Sequence, residues 1–215
     1  MRGWAIRAAL AFVLPVVACR GDDPGGSNAG RSAALNDRGS RSCSAAGVSL
    51  VIDSAGIGPV LRGTPISALR TRCTVIDTSI TLSEGMPERA HVISVAGHAL
   101  LALTTGTPDT SIIRVIASDG TFKTSGGIGV GSSVQSLRLA HGSLCAAQGE
   151  GNFIVMASAL PGVSFAIDWT PPPSRDPSAA LSPFPGGDPG TSLDATRITR
   201  AWVHGVTGGC RVGVG

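Results

Sequence analysis

The chain has 215 residues, 17 basic and 14 acidic side chains, 42% apolar residues, 30 glycines and 14 prolines. It is too apolar for disorder and too heavily punctuated by glycine and proline for a helical bundle, so many short strands joined by turns are expected. Without Arg2 and Arg7, which stand at the extreme N-terminus, 15 basic groups face 14 acidic ones, and nucleic-acid binding through a basic face loses its support.

Arg2 and Arg7 lead into a short apolar run, Ala8 to Val17, with small residues before Cys19. That is the layout of a secretory signal peptide. The run is too short for a membrane span and Pro15 interrupts it. Val16-Val17-Ala18-Cys19 resembles the lipobox of bacterial lipoproteins, whose cysteine is lipidated before cleavage. The resemblance implies a signal peptide over residues 1–18 and a chain held on the bacterial envelope by lipid on Cys19. Arg20 stands where some bacteria read an aspartate as an inner-membrane retention signal, which implies the outer membrane, facing periplasm or surface. The alternative is an ordinary signal peptide followed by a chance cysteine. Residues 19–42 are dominated by Gly, Ser, Asn and Asp and read as a tether, with a reach on the order of 25 Å.

Cys43, Cys73, Cys145 and Cys210 remain, an even number in an exported chain. Two disulfides are the natural reading in an oxidising compartment. Three pairings are open. One bridge in each half, Cys43 with Cys73 and Cys145 with Cys210, is the expected one, each adding about 3–4 kcal/mol by restricting the unfolded chain. Zinc prefers close cysteine pairs, and the nearest spacing here is 30 residues. No metal or other cofactor is expected.

From Cys43 onward one pattern occurs twice, over residues 43–120 and 121–215. Aligning Gly63 with Gly131 matches Thr64 to Ser132, Ile66 to Val134, Leu69 to Leu137 and Arg70 to Arg138. Each copy reads as a turn and a short helix. Thr64 would cap the first, with Pro65 at the first helical position; Ser132 would cap the second, with Gln135 completing a capping box. The turns Glu84-Gly85 and Glu150-Gly151 follow. Next come strands at His91–Val95 and His98–Leu103 in one half, Asn152–Ala157 and Gly162–Asp168 in the other. Ser111–Ala117 and Arg197–Val203 close the halves, and an extra strand, Gly47–Asp53, precedes the first. The expected fold is α+β, two similar helix-strand-strand-strand halves with antiparallel sheet. This order resembles the tandem repeats of β-lactamase-inhibitor-like proteins and of small outer-membrane-assembly lipoproteins, over roughly residues 55 to 205. The resemblance implies non-catalytic protein binding. The long loop near residue 180 and the extra N-terminal strand depart from it, so no binding surface carries over.

Chemistry is sparse. Gly127-Ile128-Gly129-Val130-Gly131 precedes a helix, but its G-x-G-x-G spacing and its turn-like approach favour a tight turn over a dinucleotide site. No G-x-S-x-G occurs. His91, His98, His141 and His204 read as surface or end-of-element residues; a fold gathering one with Asp53 or Asp168 is the alternative. Glu84 and Glu150 hold matching places, as a glycosidase pair would, but each precedes a turn glycine. No catalytic residue is assigned. The Pro-rich loop 169–190, with seven prolines, suits recognition. Trp169, Phe184 and Trp202 are the candidate binding patch. The expected function is a lipid-anchored envelope module that binds another envelope protein or a ligand without catalysis; the alternative is a hydrolase whose site is assembled between the halves.

Overall fold

The computed structural model describes residues 42–81, 85–105, 110–149, 151–170 and 190–205. Among these, β1 (Val51–Asp53), β2 (Gly56–Ile57), β3 (Val60–Leu61) and β8 (Lys123–Thr124) form a small sheet in the order β3-β2-β1-β8. A large antiparallel sheet runs β4-β5-β6-β7-β12-β11-β10-β9. Its strands are β4 (Thr74–Thr81), β5 (Pro87–Val95), β6 (His98–Thr104), β7 (Ile112–Ala117), β9 (Leu144–Gly149), β10 (Asn152–Ala157), β11 (Val163–Ile167) and β12 (Ile198–His204). Helix α1 (Ile66–Arg70) precedes β4 and helix α2 (Val134–His141) precedes β9. The fold is α+β and rich in sheet.

Strand alternation sends one set of side chains to the main core. There Ile93, Val95, Val115, Phe165 and Val203 meet Ile66 and Leu69 of α1, Val134 and Leu137 of α2, and Ile52, Ile57 and Val60 of the small sheet. The helices therefore cover one face of the large sheet. The opposite face carries a smaller cluster, Leu103, Ile116, Ala166 and Trp202, with Ile80, Leu101 and Ile154 against it.

Both helices are entered through similar backbone bonds. Gly63 N–H donates to Ile112 C=O at 2.7 Å and Gly131 N–H to Ile198 C=O at 2.8 Å. Ile66 N–H donates to Thr110 C=O and Val134 N–H to Thr196 C=O, each at 3.0 Å. Gly63 and Gly131 sit at φ 77° and 84°, a left-handed conformation suited to glycine.

Several expectations need correction. The caps lie one residue later: Pro65 occupies the cap of α1 with no side-chain bond, and Ser133 caps α2 through Ser136 N–H. Ser132 accepts instead from Gly129 N–H at 3.2 Å. Each helix is followed by four strands rather than three: β4 is exposed on both faces and β9 is built mostly of small residues, so neither carries a strand pattern in the sequence. The Ala96-Gly97 turn pairs Val95 with His98 and has both residues at positive φ, 51° and 83°, as a two-residue hairpin requires. Residues 1–18, Cys19, Glu84, Glu150, Phe184, Cys210 and the loop from 171 to 189 lie outside the described residues.

Candidate functional site

The best-organised polar cluster rests on β4, β5 and β6. Antiparallel register sets Asp77 opposite His91, and His91 opposite Ala102, near the end of β6 that carries Thr104. The His91 ring is buried, with 3% of the residue exposed. Its Nδ1 lies 2.7 Å from Asp77 Oδ1 and its Nε2 lies 3.2 Å from Thr104 Oγ1. Since the carboxylate only accepts, Nδ1–H donates to Asp77, and Nε2 is left to the Thr104 hydroxyl. Arg70 donates to the same Asp77 oxygen. The His91 bond first, and the Arg70 bond second, hold the Asp77 carboxyl below the usual carboxylate range. A cavity of about 310 Å³ opens here, walled by Ile66, Arg70, Asp77, Arg89 and His91 among others.

An Asp-His-hydroxyl file has the connectivity of a hydrolytic triad. Its hydroxyl is poorly presented, however. Thr104 is 7% exposed and is not one of the cavity's lining residues. A nucleophile needs an open approach and donors for the oxyanion. As it stands, the file satisfies a buried imidazole across three strands.

The other histidines are also tied to neighbours. His98 Nδ1 lies 2.7 Å from Asp119 Oδ2, and Thr121 N–H donates to Asp119 Oδ1 at 2.8 Å. These bonds, that of the Thr121 backbone foremost, pull the Asp119 carboxyl down to about 2. His141 Nε2 lies 2.8 Å from Thr124 Oγ1, and burial lowers its ionisation. His204 Nε2 lies 2.6 Å from Ser164 Oγ, but Ser164 is fully buried. His91 is thus neither a surface nor an end-of-element residue, and among the described residues Asp77 and Asp119 are carboxylates that histidines meet. Asp53 instead accepts from Ala55 and Gly56 N–H in a turn. The Asp77–His91 pair has a sequence signal: the two lie seven residues on either side of Glu84, where the Glu84-Gly85 turn is expected.

The candidate aromatic patch is not one surface. Trp169 packs edge-on against Phe153, with ring centroids 4.7 Å apart, beside the main core. Trp202 belongs to the opposite face, where the Arg114 guanidinium lies 5.9 Å from its ring. The Trp202 indole N–H is buried and meets no acceptor among the described residues. Residue alternation along β12 and β10 separates the two tryptophans.

Cys43 and Cys73 form a disulfide, with Cα atoms 5.0 Å apart. Cys145 is also disulfide-bonded; its expected partner, Cys210, lies outside the described residues. A second cavity, about 450 Å³, opens beside the Cys43–Cys73 bridge, and Arg70 lines both cavities. Among the described residues no group of three or more His, Cys, Asp or Glu could hold a metal ion.

No protein-family model and no curated protein matches the chain. Among solved structures it is similar to the uncharacterized protein yfeY from Escherichia coli, with 14% identity, 72% of this chain and 99% of that chain covered, and a TM-score of 0.48.

Proposed function

We propose that this chain is an exported, lipid-anchored protein of the bacterial envelope that binds a ligand or another envelope protein and catalyses no reaction. Cys19 carries the lipid, and the outer membrane is its site. The Cys43–Cys73 disulfide supports export, since such bridges persist in oxidising compartments. The observation that carries the binding reading is the cleft along α1 and β4. Two cavities share Arg70 there, and the one hydroxyl hydrogen-bonded to His91 is buried.

The large sheet is two copies of one unit, α1 with β4–β7 and α2 with β9–β12. The paired helix-entry bonds support this. So does the register at the centre, where Ile116 pairs with Trp202, Leu101 flanks Ile116 and Ser164 flanks Trp202. Arg114 and Arg200 then fall at matching places, each two residues before its strand's member of the central pair.

Metabolic labelling with an alkyne-bearing palmitate tests the anchor. The wild type labels and fractionates with membranes; Cys19→Ala does not label. An unlabelled wild type removes the anchor. The Asp77–His91–Thr104 file favours the hydrolase as second reading. Ester or amide turnover by the purified protein, lost in Thr104→Val, would establish it in place of the binder.

A further inference from the structure

We propose that residues 206–215 lie as a strap across the face of the large sheet opposite the helices, pinned by a Cys145–Cys210 disulfide, and close the row around Trp202 to outside partners. Strand register defines the row. Cys145 pairs with Met156, and Val155 with Phe165, so that Met156 comes beside Ser164. Ser164 pairs with Trp202, Trp202 with Ile116 and Ile116 with Leu101. Residues opposite each other in an antiparallel sheet point to the same side. Leu144 and Ala146 belong to the main core, so alternation turns Cys145 to the other face, where Ile116 and Trp202 also lie. Among the described residues, both helices and the small sheet pack on the main-core side, which leaves this face without a layer. Yet Ser164 is 0%, Cys145 3% and Trp202 5% exposed, while Ile76, at the β4 end of the same row, is 60% exposed. A cover therefore lies over the β12–β9 end of the row.

The cysteines say which segment supplies it. Cys145 is disulfide-bonded, and Cys43 and Cys73 are joined to each other, which leaves Cys210 or Cys19 as its partner. Cys210 stands six residues after His204, the last residue of β12. From β12 to β9 the sheet advances by three strand spacings, about 15 Å, and the chain from Gly205 to Cys210 spans about 17 Å when extended. Because Cys145 points out of the face opposite the helices, a chain bonded to it from the end of β12 passes over Ser164 and Met156. Val206-Thr207-Gly208-Gly209 is free of charge, and its two glycines let the backbone lie close on a flat surface. Binding of a ligand or an envelope protein is then left to other faces of the domain, with Trp202 withdrawn beneath the strap.

The test begins with the wild-type chain from an oxidising host. Tryptic mapping without reduction should yield residues 139–175 linked to residues 201–211; a link from Cys145 to Cys19 overturns the proposal. Hydroxyl-radical footprinting then reads the face itself, with Met86, 72% exposed, as the open reference. A chain ending at Gly205 and carrying Cys145→Ser should oxidise Trp202 and Met156 severalfold faster than the wild type, with Met86 unchanged. Cys145→Ser combined with Cys210→Ser unties the strap but keeps its residues, and should give a smaller rise in the same two side chains. If the shortened chain does not melt cooperatively, the double variant decides alone. Trp202 and Met156 as protected in every folded variant as in the wild type overturn the strap. So does a rise that comes only when residues 171–189 are replaced by a short Gly-Ser linker, which gives the cover to the Pro-rich loop.

Discussion

Gly129 lies against a backbone carbonyl: a Cβ there would stand 2.1 Å from Phe122 O and 2.8 Å from the Lys123 side chain. Backbone cannot yield as a flexible side-chain end can, so Gly129→Ala should destabilise by about 2–4 kcal/mol, read from the urea midpoint at unchanged slope. A change within about 0.5 kcal/mol would show that the close approach relaxes freely. The glycine at the centre of the G-x-G-x-G run is thus required by a chain crossing. Asp119 offers a pH test. Its carboxyl titrates at about 2 in the fold against 3.8 ordinarily. A depressed carboxylate contributes stability that is present above the unfolded value and lost as pH falls through the folded one. Stability from this site should therefore hold at neutral pH and decline between about pH 4 and pH 2, by a modest amount because the side chain is 37% exposed. Carbon-detected NMR of the Asp119 carboxyl should give a midpoint near 2, and His98→Asn should raise it; an ordinary midpoint in the native protein would remove the Thr121 and His98 bonds from the account.

The two helices show how a short element is held by one face. In α2, Leu137 is fully buried while Leu139 is 82% exposed. Leu137→Ala should cost about 2–5 kcal/mol by transfer and cavity terms, and Leu139→Ala should stay within about 0.5 kcal/mol. Equal effects in thermal melts would mean that α2 does not pack as described. The helices were legible because apolar residues three apart, Ile66 with Leu69 and Val134 with Leu137, mark one buried face. β5, β6, β7, β10, β11 and β12 were legible as apolar runs between turns. β4 and β9 were not. Thr74–Thr81 is an edge strand largely exposed on both faces, so no period-2 alternation reports it. Leu144–Gly149 is composed mostly of small residues, with little β-propensity to read. Missing β4 also hid Asp77, and with it the partner of His91. Ser42 and Arg72 carry no motif either; only folding brings them to one cavity, through the Cys43–Cys73 bridge and the Ser42 Oγ to Arg72 carbonyl contact.

At the scale of the molecule, the seam between β7 and β12 decides whether there are two domains or one. Ala117, Ile116, Val115 and Arg114 pair with Ala201, Trp202, Val203 and His204 across it. Val115 and Val203 sit in the main core, Ile116 and Trp202 in the smaller cluster, so the seam is buried on both sides. A half alone would open a long central edge and lose half of each cluster, and a core that small does not support a stable fold. The parallel pairing of β1 with β8 joins residues 51–52 to 123–124 and crosses the same boundary. Fragments 42–120 and 121–215, purified separately from an oxidising host, should each lack a cooperative thermal transition. Mixed, they should form a one-to-one complex that melts cooperatively, as the sheet edges regain partners and the apolar rows close. Ile116→Arg should prevent that association, because it places a charge at a position only 8% exposed. A half that melts cooperatively by itself would make the units independent domains; the seam would then be a contact between two folds, with no single sheet closing the core.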